Sequence, residues 1–245
     1  MIRALVDGLL AVVLAPACAS CRRPLDSPTT GVVCDPCWSS IRPLTPPLCA
    51  VCGDPLRSWR TTGPDDRCPR CRAACTPITR GRAVGEYDDA LRAILHALKY
   101  DGRRSIAPAL SAMMRAHGRS VLAGADCAVP VPLHWRRWWT RGFNQAADLA
   151  AGLGIPVVHA LRRSRGTRPQ TDLPADKRHA NVRRAFRVPR RAAVEGRCVV
   201  LVDDVSTTGA TLEACARALL DAGAREVRTL TAARVVSRQP AARRQ

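Results

Sequence analysis

Lysine is nearly missing from this chain. Of its 245 residues 39 are basic, and all of these except Lys99 and Lys177 are arginine; against 20 acids this gives a formal net charge of +19. An acidic or balanced surface is thereby excluded. The charge predicts attraction to polyanions, either nucleic acid or phosphorylated ligands, set against the plainer outcome of a diffuse positive surface. Long apolar runs are also scarce. The stretch "MIRALVDGLLAVVLAPA" (residues 1–17) imitates a secretory signal, and Cys18 after "LAPA" imitates a weak lipobox. Its flank carries a single Arg3, Asp7 interrupts it, and it is too short to span a bilayer. The expectation is an amphipathic helix ending at Pro16, no membrane span and a cytoplasmic protein.

Between Cys18 and Cys75 apolar side chains give way to proline and arginine, so this part has little with which to build a core. It has cysteine instead. Cys18 and Cys21, Cys34 and Cys37, Cys49 and Cys52, and Cys68 and Cys71 form four C-x-x-C pairs. Each pair is a knuckle that presents two thiolates to one metal, and two knuckles complete a tetrahedral S₄ site. A disulfide framework is the competing reading; four consecutive C-x-x-C units favour two structural zinc ions. Pairing in sequence order, first knuckle with second and third with fourth, is preferred over a cross-braced arrangement. Gly53 after Cys52 lets the backbone turn beneath the metal. Cys75 lies just past the last knuckle and is a substitute ligand, whereas Cys127, Cys198 and Cys215 read as small buried hydrophobes.

The most informative stretch is "VVLVDDVSTTGATL", Val199 to Leu212. Val199 to Val202 read as a strand covered on both faces. From Gly209 the apolar residues recur at helical spacing, with Gly223 as the stop. The stretch is therefore a strand–loop–helix junction, at the sheet edge where parallel α/β folds bind ligands. Loop N–H groups, the helix N-terminus and the hydroxyls of Ser206, Thr207, Thr208 and Thr211 suit a phosphate monoester. Asp203 and Asp204 would repel that phosphate; they suit ribose hydroxyls or a divalent cation such as Mg²⁺. Paired acids also occur in receiver-type domains, phosphatases and solvated turns. With "TTGAT" directly following, a ribose 5-phosphate fits best.

Elsewhere the pattern predicts a short strand near Ala83–Tyr87, a helix burying Leu91, Ile94, Leu95 and Leu98, and a second helix from about Ile106 to Ala116. His96 and His117 read as surface or capping residues. Ala128 to Leu133 reads as a buried strand, broken by Pro130 and Pro132. "HWRRWWTRGFNQ" follows, basic and aromatic, with a helix starting near Phe143–Asn144. Arg136, Arg137 and Arg141 suit a second polyphosphate group. Trp135, Trp138 and Trp139 suit stacking on a base or on single-stranded nucleic acid, or packing against the neighbouring module. "IPVVHAL" is read as a further strand. The polar residues after it, including Arg165, Thr167, Gln170, Arg178 and Asn181, resemble a mobile lid over an anion. "EVRTLTAARVV" supplies the last strand. The expected division is a zinc module at 1–76, an α/β domain at 77–236 and a basic tail at 237–245.

The four C-x-x-C pairs, "LKYDG", "VPVPLHWRRWWTRGFNQA", "TRPQ", "RHANVRRAF" and "VVLVDDVSTTGATL" occur in the order found in the ComF family, which this chain resembles over nearly its whole length. The resemblance implies a type I phosphoribosyltransferase-like wound, mainly parallel sheet behind a double zinc ribbon. It implies that Asp203 and Asp204 hold the ribose diol of phosphoribosyl pyrophosphate (PRPP) with Mg²⁺. Val205 and Ser206 to Gly209, with Thr211, would wrap the 5-phosphate. The "VPVPLH" turn would be the pyrophosphate loop, Arg165–Asn181 the closing loop, and Lys99, Arg141, Asn144 and Gln145 neighbours of the pyrophosphate. It further implies an association with DNA uptake, single-stranded DNA and a DNA-uptake or helicase partner. The alternative it leaves open is an active transferase for an unidentified base or amine acceptor.

Overall fold

The computed structural model describes residues 6–8, 10, 12, 14–56, 66–133, 135–163 and 185–236. The described positions from residue 6 to residue 14 are helical. Four long strands follow from the apolar runs: β1 (Arg80–Glu86), β2 (Cys127–Pro130), β3 (Cys198–Ser206) and β4 (Glu226–Arg234). They form one sheet in the order β1-β4-β3-β2, with every pairing parallel. The helices of seven or more residues between them, among the described residues, are α1 (Asp89–Tyr100), α2 (Ala107–His117), α3 (Trp135–Arg141), α4 (Gln145–Ala151) and α5 (Ala210–Asp221).

The strand period of two decides the layers. Val200 and Val202 of β3 pack with Leu91, Leu95, Leu110 and Leu149 of α1, α2 and α4. Val199 and Leu201 pack on the opposite face with Leu212, Cys215 and Leu219 of α5. Both faces of β3 are thus dry, which is why its first five residues carry no polar side chain.

Two expectations are corrected. β3 does not stop at Val202: its register with β4 continues through Asp203↔Thr231 to Ser206↔Arg234, so both aspartates lie inside the strand. The "IPVVHAL" stretch forms only an isolated parallel bridge, Ala128↔Val157. Pro156 has no N–H to give and the neighbouring β2 has only four residues, so no ladder develops. In addition, Trp135–Arg141 is helical, a feature the basic-aromatic composition did not disclose.

The cysteine-rich front packs directly on this sheet. The link between its two halves runs antiparallel beside β1 through Pro43↔Gly85, with Leu44 donating to the Val84 carbonyl at 3.0 Å. This covers the open edge of the sheet. Cys18, Leu25, Val33, Cys37 and Ile41 join the core shared with α1 and α2. Among the described residues, no helix is long and apolar enough to cross a membrane.

Candidate functional site

Two tetrads of sulfur come together in the front. The ligand atoms of Cys18, Cys21, Cys34 and Cys37 lie within 4.8 Å of one another, and so do those of Cys49, Cys52, Cys68 and Cys71. The pairing is the sequential one, and Cys75 is exposed and belongs to neither tetrad. Their protonation shows why a cation belongs there. The Cys49 thiol is lowered to about 3, first by the hydrogen bond from Cys52, against its own burial. Cys52 is pushed far up, first by that same hydrogen bond and then by burial. Cys37 is raised to about 12 by burial. In Cys18 burial works upward, but the backbone N–H groups of Cys21, Cys34 and Ser20 outweigh it and bring the thiol down to about 6. Four thiols this close cannot all ionise by themselves; a divalent cation lets all four do so, and the all-sulfur set suits Zn²⁺.

The second cluster of chemistry lies at the carboxyl end of the sheet. A cleft of ≈ 290 Å³ is lined there by Lys99, Tyr100, Arg141, Arg163, Asp203 and Asp204, together with Val205, Thr207 and Thr211. The strand alternation turns the aspartates to opposite sides. Asp204 is buried and its Oδ2 lies 2.5 Å from Lys99 Nζ, at the end of α1. Asp203 is half-buried on the α5 side, where its charge adds to burial in holding the Cys215 thiol well above its ordinary value. Each carboxylate also caps the next residue: Asp203 Oδ1 accepts from the Asp204 N–H at 2.9 Å, and Asp204 Oδ1 from the Val205 N–H at 2.8 Å.

The loop after β3 leads into α5 through Gly209, whose φ of 80° only glycine adopts without strain. Thr207, Thr208 and Thr211 are exposed there, while Ser206 is buried. The loop therefore sets hydroxyls beside the first turn of a twelve-residue helix, where the Ala210 N–H donates to Thr208 Oγ1 at 3.5 Å.

Of the other sequence candidates, Lys99 is engaged with Asp204. Arg141 lies over the Tyr100 ring, 4.6 Å from its centroid, and donates to Gln145 Oε1 at 3.2 Å. Asn144 is committed to the fold: it caps α4 by accepting from the Ala146 N–H and donates to the Val131 carbonyl. Trp138 and Trp139 are 52% and 81% exposed, so they do not pack between the modules. The side chains of Trp135, Arg136 and Arg137, and the whole of Arg165, Thr167, Gln170, Arg178 and Asn181, lie outside the described residues. The structure adds Tyr87, Tyr100 and Arg163 to the cleft. "LKYDG" had already placed Tyr100 next to Lys99, but nothing in the sequence marks Arg163 among its many arginines.

A parallel sheet with a carboxylate pair and a glycine-capped loop at its carboxyl end, behind two Cys₄ sites, defines a phosphoribosyltransferase-like protein with a double zinc ribbon. Residues 140–244 match the family described as "Phosphoribosyl transferase domain", and residues 9–72 match "Double zinc ribbon domain". The "DNA utilization protein YhgH" of Escherichia coli (strain K12) is 38% identical over 170 residues, 65% of this chain and 74% of that protein. The protein of the same name from Salmonella typhimurium is 34% identical over 224 residues, 86% and 93% of the two chains. "Competence protein F" of Haemophilus influenzae is 32% identical over 162 residues, 62% and 71%. The chain belongs to the ComF family.

Proposed function

We propose that the cleft binds PRPP with Mg²⁺. The observation that carries this reading is the Asp203–Asp204 pair, set in the same strand that delivers the hydroxyl-rich, glycine-capped loop to the start of α5. The 5-phosphate fits the loop N–H groups and Thr207, Thr208 and Thr211. The ribose diol fits the carboxylates. The pyrophosphate fits the cationic wall of Lys99, Arg141 and Arg163. Mg²⁺, held by an aspartate and ligand oxygens, would neutralise the pyrophosphate charge. The residues' own work is to bind, orient and exclude water.

The test is calorimetry with Mg²⁺–PRPP on the wild type and on Asp203→Asn/Asp204→Asn. The double variant should lose on the order of 2–4 kcal/mol, the contribution of a charge-assisted pair of contacts less its replacement by water. Unchanged affinity would reject the site. Release of pyrophosphate with a supplied base or amine would establish a transferase; stable binding without release would leave PRPP as a bound effector.

The protein's wider role is a competence-associated, DNA-handling one, in the cytoplasm. The relatives' names point to DNA, and the exposed Trp138 and Trp139 on an arginine-rich helix favour single-stranded DNA, contacted through its phosphates and stacked bases. A helicase or other DNA-uptake protein is the partner class this role calls for.

A further inference from the structure

Building on the PRPP reading, we propose that the second zinc ribbon completes the phosphate site. Arg70 is a direct binding residue for the ligand's phosphate, and Asp54 positions the loop through Arg234.

Arg70 stands between two ligating cysteines, in the five-residue helix Pro69–Ala73. Its backbone is therefore fixed wherever Cys68 and Cys71 share a metal. From there its guanidinium reaches into the α/β domain, and Nη1 donates to the Thr208 carbonyl in the middle of the loop. Gly209 accommodates the approach: a Cβ at that position would meet Arg70 Nη2 at 3.3 Å. The guanidinium thus lies against the loop where the first turn of α5 begins. It carries five N–H donors, and the Thr208 carbonyl engages one of its nitrogens. Arg70 is exposed, like Thr207, Thr208 and Thr211 around it.

The charge balance of the loop calls for such a group. The first turn of α5 contributes an acid, Glu213, which opposes an anion at that helix start. The nearest basic residue of α5, Arg217, is turned to Glu213 at 3.9 Å. Lys99 is engaged with Asp204. Among the described residues, the cation at the middle of the loop, on the Thr208 carbonyl, comes from the ribbon.

A second tether leaves the same ribbon. Asp54 follows Cys52 by two residues, and its Oδ1 lies 2.5 Å from Arg234 Nε. Arg234 is buried, and its Nη1 donates to Ser206 Oγ at 3.3 Å. The ribbon thus reaches the last residue of β3, through Arg234, and the middle of the loop. The two contacts reach the loop from different ligand pairs, one beside Cys52 and one inside the Cys68–Cys71 knuckle.

The test uses the zinc-loaded full chain and titrates ribose 5-phosphate and Mg²⁺–PRPP into the wild type, Arg70→Gln and Arg70→Lys. Glutamine is neutral and two bonds shorter than the guanidinium nitrogen that meets Thr208, and lysine keeps the charge without the fork. Arg70→Gln should weaken both ligands about tenfold, the loss of one charge-assisted contact, with Arg70→Lys between it and the wild type. Zinc content and melting temperature should be unchanged. In Asp54→Asn, the amides of residues 206–211 should exchange faster with solvent. Wild-type binding with equal affinity in Arg70→Gln overturns the proposal alone. Absence of any binding to the wild type overturns the phosphate reading and the proposal together, and unchanged exchange in Asp54→Asn overturns the positioning role.

Discussion

Lys99 Nζ meets Asp204 Oδ2 at 2.5 Å, between side chains that are only 15% and 7% exposed. The acid that the sequence assigns to a ribose and a cation is therefore already neutralised by a lysine. A divalent cation or a diol arriving at Asp204 would compete with that lysine, and a displaced Lys99 would remain beside the space proposed for a pyrophosphate. Removing the lysine leaves a buried carboxylate unpaired. Lys99→Gln should destabilise the fold by about 3–5 kcal/mol. Mg²⁺ should return part of that loss, since it supplies the missing charge. Denaturant titrations of the variant with and without Mg²⁺ check this; an identical midpoint in the two would show that no cation enters at Asp204.

Elemental analysis of the purified protein should give two zinc ions per chain. Cys18→Ser/Cys21→Ser and Cys49→Ser/Cys52→Ser should each reduce this to one, because the tetrads share no ligand. The two losses should differ in consequence. The first tetrad shares the core of α1 and α2, so its loss should lower the melting temperature of the sheet domain. The second carries Asp54 and Arg70 and should chiefly affect the loop after β3.

These metal sites were legible in the sequence because a C-x-x-C knuckle is a local object: two thiolates three residues apart meet whatever surrounds them. The strand–loop–helix motif was legible for a similar reason, since a dry strand, a positive-φ glycine and a helical repeat each leave a local pattern. The run from Val199 to Val202 did not show where β3 ends, because the ladder to β4 continues through polar residues and only the partner strand decides that. "IPVVHAL" looked like a strand for the opposite reason: it has the β-branched composition but only a four-residue neighbour to pair with. Arg70, Arg163 and Arg234 were invisible as individuals. With arginine so common, only the distances to Thr208, the cleft and Asp54 single them out.

Glu226 ties β4 to β3 and to Thr79, just ahead of β1, at the amino end of the sheet. Its carboxylate accepts from Arg228 at 2.8 and 2.9 Å, from Thr79 Oγ1 at 2.7 Å and from the Cys198 thiol at 3.4 Å. Arg228 foremost, with Thr79 and Cys198 assisting against burial, lowers the carboxyl from 4.5 to about 2. A lowered pKa in the folded state adds stability that is present above the unfolded value and is lost as pH falls through the folded one. The wild type should therefore exceed Glu226→Gln in stability by a constant margin above pH 4.5, and that margin should close between pH 4.5 and about 2. Parallel denaturation of both proteins across this range checks the sign; a margin that widens on acidification would contradict it.

Single-stranded DNA binding should run through α3. Trp138 and Trp139 project into solvent from a helix whose only charged residues are arginines and whose last residue, Arg141, lines the cleft. An apolar ring left this exposed calls for a partner, and a base fits because stacking needs only a π-face. Trp138→Ala/Trp139→Ala should weaken binding to a labelled oligonucleotide by roughly 1–3 kcal/mol per stacked base. Its salt dependence should stay the same, because the phosphate contacts of the arginines remain. Arg136→Ala/Arg137→Ala should do the converse, flattening the salt slope by about 0.7 per lost single-strand phosphate contact. Fluorescence anisotropy across a salt series separates the two effects. Equal affinity and equal slope in both double variants would remove α3 from the DNA site and leave the positive charge as a diffuse surface property.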